Sequence, residues 1–121
     1  DAAAEVAAIR QLVERWRAAW SDQRVEDYLD CYADDFRPAG GRSRRAWARE
    51  RRQRLLAPGS IDVEVTSLAV ELRGGDRARA YFHQRYRTET LNRGTWKSFD
   101  LVRGPDGWKI QREQIENGPP S

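Results

Sequence analysis

The run DRARAYFHQRYRTET, residues 76–90, decides the fold. Its even positions are Ala78, Ala80, Phe82, Gln84, Tyr86 and Thr88; its odd positions are Arg77, Arg79, Tyr81, His83, Arg85 and Arg87. Side chains alternate faces along a strand, so a period of two predicts a strand with one cationic face. The other face begins apolar and ends polar at Gln84, Tyr86 and Thr88, as the wall of a half-open cavity would. The run is therefore predicted to be the central strand of a curved antiparallel sheet.

On its N-terminal side, Gly74-Gly75-Asp76 reads as a hairpin turn preceded by a strand from Ile61 to Leu72. Ile61, Val63 and Val65 share one face of that strand, whereas Leu68, Val70 and Leu72 continue in the other register. The phase change predicts a β-bulge near Thr66-Ser67, which bends the strand and curls the sheet. On the C-terminal side a turn is expected around Asn92-Arg93-Gly94, then a strand from about Thr95 to Arg103. Gly104-Pro105-Asp106-Gly107 turns the chain, and Trp108 to Glu116 closes the sheet.

Ahead of the sheet the period is that of a helix. Val6, Ile9, Val13, Trp16 and Trp20 form one apolar stripe over Ala2 to Trp20. Ser21 or Asp22 ends this helix and is placed to cap a second, about Arg24 to Tyr32, with Val25, Tyr28, Leu29 and Tyr32 on one face. Arg37-Pro38-Ala39-Gly40-Gly41 is not regular helix; Ser43 caps a third helix from Arg44 to Leu56, and Pro58-Gly59 stops it. Three helices followed by four hairpin-linked strands is an α+β plan, the sheet wrapping the first helix as a cone with one open end.

With 121 residues the chain is long enough for one core. A single domain over residues 1–117 is expected, with 118–121 as a tail. Charged residues make up 34% and the apolar fraction is 39%, but five Trp, four Tyr and three Phe supply buried surface, which excludes a disordered chain. All but two of the 22 basic residues are arginine, the exceptions being Lys97 and Lys109, as a GC-rich codon bias would produce. The net charge of +3 allows an acidic partner without requiring one. Cys31 stands alone, so no internal disulfide forms and no redox compartment is implied. No apolar run approaches the ~18 residues of a membrane span. The absence of Met suggests a mature form or a domain cut from something longer.

The opening helix ending Trp16-Arg17-Ala18-Ala19-Trp20-Ser21, the segment Tyr28-Leu29 with Tyr32-Ala33-Asp34-Asp35-Phe36, and the closing Gly107-Trp108-Lys109-Ile110 resemble the NTF2-like superfamily. That superfamily includes nuclear transport factor 2, ketosteroid isomerase and SnoaL-like proteins. Arg37-Pro38-Ala39-Gly40-Gly41, Trp47, Arg51-Arg52-Gln53-Arg54-Leu55, and Phe82, Gln84 and Tyr86 with Lys97 are similar to one subgroup. It comprises NTF2-like domains appended to bacterial cell-wall L,D-transpeptidase, L,D-carboxypeptidase and tetratricopeptide-repeat proteins. There the transpeptidase nucleophile lies on a separate domain, so the resemblance implies an accessory role. It also implies a periplasmic or cell-envelope location, with peptidoglycan nearby; a cytoplasmic one stays open.

Ketosteroid-isomerase chemistry needs a carboxylate in an apolar cavity. In that family an Asp follows the Tyr-Ala-Asp-Asp stretch just before a Pro; here the matching position is Arg37, ahead of Pro38. The inward registers supply Phe82, Gln84, Tyr86, Lys97, Phe99 and Leu101, with no carboxylate expected among them. Asp34 and Asp35 read as solvated or capping residues, Cys31 as a buried apolar one, and a lone His83 makes no metal site. No catalytic residue, cofactor or metal is expected, although a SnoaL-like enzyme acting on a small polar molecule stays an alternative.

Gln84, Tyr86 and Lys97, with Tyr32, Trp47 and Arg51 from the helices, form the expected binding site. Amide, phenol, cation and aromatic groups together suit a small anionic ligand with a sugar or peptide body. The opposing expectation is that Gln84 and Tyr86 satisfy one another in a buried network. A homodimer is expected through the outer sheet face, at Tyr81, His83, Arg85 and Trp96, because Trp, Tyr and Arg dominate interfaces. Seven arginines between Arg42 and Arg54 raise nucleic-acid binding as a further alternative.

Overall fold

A computed structural model describes residues 1–120 of the chain; Ser121, the last residue of the expected tail, lies outside them. The elements run α1 (Ala2–Ser21), α2 (Val25–Asp30), a 3₁₀ turn (Ala39–Gly41), α3 (Arg44–Leu56), β1 (Asp62–Leu72), β2 (Arg77–Arg87), β3 (Asn92–Gly104) and β4 (Gly107–Glu116). The sheet order is β1-β2-β3-β4, every neighbour antiparallel. This is the α+β cone expected from the sequence, three helices on a curved four-stranded sheet.

Helix starts follow local chemistry. The Asp1 side chain accepts from the Ala4 N–H at α1, and the Ser43 hydroxyl from the Ala46 N–H at α3. At α2 the expectation fails. Neither Ser21 nor Asp22 caps it; Arg24 precedes it without a side-chain bond, and the helix spans Val25–Asp30 only. Ser21 is diverted to the sheet, where its hydroxyl accepts from the Val63 N–H at 2.7 Å and pins the end of α1 to β1.

The β1 bulge lies where the phase change puts it. Thr66 pairs with His83 and Ala69 with Tyr81, so Ser67 and Leu68 together face Phe82, with Ser67 at φ 58°. The expected turn at Asn92-Arg93-Gly94 is instead the start of β3, whose residues pair with Arg85 to Arg87. The reversal sits at Thr88–Leu91, closed by Thr88 N–H donating to the Leu91 carbonyl at 2.9 Å. A second bulge, absent from the sequence reading, lies in β4. Leu101 pairs with Ile110 but Asp100 with Arg112, leaving Gln111 as an extra residue.

Trp16 centres the core. Its ring meets Phe99 at 5.0 Å, Trp20 at 5.3 Å and Phe82 at 5.6 Å, all close to edge-on. Ile9 and Val13 from α1 and Leu101 and Ile110 from the sheet fill the closed end. Truncating Trp16 to alanine would cost about 3–5 kcal/mol. Cys31 is fully buried, as expected.

Candidate functional site

The open end of the cone holds a cavity of about 1110 Å³, ample for a small organic ligand. Trp20 from α1, Trp47 and Arg51 from α3, and Gln84, Tyr86 and Lys97 from the sheet line it. Five of the six residues expected from sequence therefore line one cavity. Tyr32, the sixth, lies beneath it, 2% exposed. The inward register explains the arrangement. Tyr86 pairs with Arg93 and Gln84 with Thr95 nearest the mouth, Phe82 with Lys97 comes next, and the apolar pairs Ala80–Phe99 and Ala78–Leu101 lie below.

One inward carboxylate overturns the expectation of none. The bulge at Gln111 switches the parity of β4: Trp108 and Ile110 point inward before it, and Glu113 and Ile115 after it. Glu113 pairs with Phe99 across the strands and accepts Lys97 Nζ–H at 2.8 Å and the Tyr32 hydroxyl at 2.7 Å. The signal was available. Apolar positions 108 and 110 are even and 115 is odd, the same phase change that revealed the β1 bulge.

Around this carboxylate the polar groups close on themselves. Trp16 Nε1–H donates to the Tyr32 oxygen at 2.9 Å, and the Tyr28 and Tyr32 hydroxyls lie 3.1 Å apart. Arg51 donates to the Tyr28 oxygen at 3.1 Å while its guanidinium sits over Trp47 at 5.6 Å. Lys97 Nζ lies 5.4 Å from the Trp16 ring and 5.5 Å from that of Trp20. Burial by itself would raise the Glu113 carboxyl. The Lys97 and Arg51 charges and the two hydrogen bonds outweigh it and hold the group at about 2. Burial pushes the Tyr28 phenol up to about 12 and the Tyr32 phenol well above its ordinary range, so both stay neutral donors. A carboxylate held this acidic is a poor general base at neutral pH.

The expected Gln84–Tyr86 network does not form. Gln84 is 6% exposed and its Oε1 has no partner among the described residues. Tyr86 packs on Trp20 instead, ring centres 5.2 Å apart. Lys97 likewise does not await a ligand, because Glu113 is its partner.

Outside the cavity, β2 and β3 place Tyr81, His83, Arg85 and Trp96 on the outer face, with the His83 and Trp96 rings 5.0 Å apart. On α3, Arg44 binds the Tyr32 and Ala33 carbonyls, Arg52 pairs with Glu26, and Arg54 with Glu50. That leaves Arg45 and Arg49 unpaired among the described residues, a thin basis for a phosphate-tracking face. Asp35 accepts from Gln111 at 3.0 Å, in keeping with a structural reading. No metal-binding cluster occurs among the described residues, and no helix is long and apolar enough to cross a membrane.

Residues 8–114 match the family described as the Cds6 C-terminal NTF2-like domain. No curated protein matches the chain. Bd1075 of Bdellovibrio bacteriovorus is 25% identical and superimposes with a TM-score of 0.77 over 92% of this chain and 40% of that one. The helical cell shape determining protein Pgp2 of Campylobacter jejuni gives 0.83 at 16% identity, again over 40% of its length and 91% of this chain. An NTF2-like protein of unknown function from Pseudomonas putida KT2440 gives 0.79 at 24% identity, covering 96% of this chain and 87% of that one. The chain thus spans about 40% of the first two proteins. The match over residues 8–114 and the four-stranded cone agree: the chain belongs to the Cds6 C-terminal NTF2-like domain family.

Proposed function

We propose that this domain is a noncatalytic module that binds a small anionic ligand, a cell-wall fragment, in the cone of a bacterial cell-envelope protein. One observation carries the reading. The cavity is lined by Arg42, Arg51, Arg54, Arg93 and Lys97 against Glu113 and Glu116; with Glu50, which pairs with both Arg42 and Arg54, the opening keeps an excess of two positive charges. The chain as a whole carries +3, so most of its excess sits at this opening. Low-dielectric walls lined by one sign of charge focus the field and draw in anions. The likeness to a helical cell shape determining protein supports the cell-envelope setting. A thermal-shift screen against muropeptides, amino sugars and small carboxylates tests it. Ligand at 100 times its Kd stabilises by about 2.7 kcal/mol, several degrees for a domain of this size, and the shift should shrink with salt. No shift with any of these classes would remove the reading.

The outer face supports a second role. His83 against Trp96 beside Tyr81 and Arg85 leaves half-exposed aromatics among arginines, the composition of an interface, and we infer a homodimer through it. A monomer mass by sedimentation at high concentration would sink this second role.

A further inference from the structure

A second cavity, about 520 Å³, lies outside the cone between the segment 37–42 and β4. Phe36, Ala39, Arg42, Glu113 and Gln114 line both cavities, so the two adjoin across that segment. Gly40 and Gly41 form part of the outer groove at positive φ, and no described atom lies within 4 Å of where a Cβ would sit on either, so the space above them is open. Arg37, Arg44 and Arg112 line this groove and not the cone. Its one lining carboxylate, Glu113, is neutralised by Lys97. Arg42 is paired with Glu50 at 2.9 Å, and the Arg44 guanidinium donates to the Tyr32 and Ala33 carbonyls. Arg37 and Arg112 remain. Both residues are exposed, and neither side chain has a hydrogen-bond or carboxylate partner among the described residues. Asp100, which faces Arg112 across the strands, is taken by Arg79 at 2.6 Å, and neither Asp34 nor Asp35 lines the groove. The Arg37 N–H donates to the Gln111 carbonyl at 3.0 Å, which sets Arg37 beside Arg112 at the margin of β4.

Two exposed guanidinium groups with nothing to pair suit a carboxylate. An exposed ion pair is worth roughly fivefold in affinity at most, too little to retain a free anion. Such a site adds affinity only to a chain already anchored nearby, where the second contact becomes intramolecular. We propose that the anion in the cone is one end of a linear oligomer carrying carboxylates at intervals, and that the chain passes over Ala39 and Arg42 to set a second carboxylate against Arg37 and Arg112. The proposal rests on the binding reading above and names the ligand class of that site. A compact monoanion fills the cone and leaves the groove empty.

The test is an NMR titration with N-acetyl oligoglutamate amides of one to six residues. Peptides of the same lengths, with glutamine in place of every glutamate but the first, separate charge from length. Wild-type affinity should step up roughly five- to tenfold once the charged chain reaches the groove, and the glutamine series should stay flat. The step should shrink with salt, because both arginines are exposed. Arg37→Ala combined with Arg112→Ala should abolish the step and leave the affinity for the single-residue ligand unchanged, with a thermal melt confirming the fold. Arg93→Ala should weaken every length alike, since Arg93 lines the cone alone. A step that is absent, or that survives in the double variant, overturns the inference while single-residue binding keeps the cone reading intact. If binding depends on Arg37 and Arg112 but not on Arg93, the groove acts alone and the shared ligand fails together with the cone reading. If neither the oligomers nor muropeptides bind, both fail as well.

Discussion

At the floor of the cone, Glu113, Lys97, Tyr32, Tyr28 and Trp16 satisfy one another completely. At the mouth, two residues along the same strand from Phe82, the partner of Lys97, the Gln84 side-chain oxygen has no partner among the described residues. Both regions are buried, both are polar, and both belong to the sheet's inner wall. The contrast separates polar groups that hold the fold together from one that the fold leaves unpaired. A buried, unsatisfied acceptor costs about 1–3 kcal/mol, so the mouth weakens the fold where the floor does not.

The contrast breaks most visibly at Glu113. Glu113→Ala strands the Lys97 ammonium in the core and should destabilise by about 3–5 kcal/mol in urea unfolding. Adding Lys97→Met to that variant should recover more than half of the loss, because the stranded charge is then gone. A smaller effect comes from pH. The folded-state value of about 2 lies below the ordinary 4.5, so the stabilisation is full above about pH 4.5 and disappears as pH falls toward 2. The loss should be roughly 3 kcal/mol, read from unfolding midpoints against pH, and Glu113→Gln should flatten that limb. At the mouth the sign reverses. Gln84→Leu should leave stability unchanged or raise it by about 1 kcal/mol, since an apolar group replaces an unpaired one. A loss larger than about 1 kcal/mol would mean that Gln84 belongs with the floor. The smallest effect is expected outside both regions: Trp96→Ala should alter monomer stability by less than about 0.5 kcal/mol while shifting the sedimentation mass from dimer to monomer.

How much of this was readable beforehand depends on whether local pattern or long-range pairing decides the feature. The parity of residues 76–90 located the inner wall, and the phase change from Val65 to Leu68 located a bulge, because both are properties of contiguous side chains. Five cavity residues followed from the same counting. Three features did not follow. Ser21 is chemically a good cap, yet its hydroxyl bonds to Val63, 42 residues away, and only tertiary packing makes that choice. The turn was placed at Asn92-Arg93-Gly94 because those residue types favour turns, whereas the hydroxyl of Thr88 accepts from the Leu91 N–H at 3.1 Å and closes the reversal earlier. Glu113 was missed because the single apolar marker after Gln111 is Ile115, and one residue is a weak sign of parity. Ile115 itself is 79% exposed at the rim, so burial could not flag it either.

Both bulges lie in outer strands, and in both some of the free backbone groups are already occupied. Along β1, Ser21 takes the Val63 N–H, Arg17 donates to the Val63 carbonyl, and Arg10 donates to that of Leu68. Along β4, the segment after α2 does the same work: Ile110 N–H donates to Cys31, Ala33 N–H to Ile110, and Arg37 N–H to Gln111. A sheet whose margins are kinked and already hydrogen-bonded is a poor template for a fifth strand. Crowding therefore gives the margins little opportunity to seed fibrils.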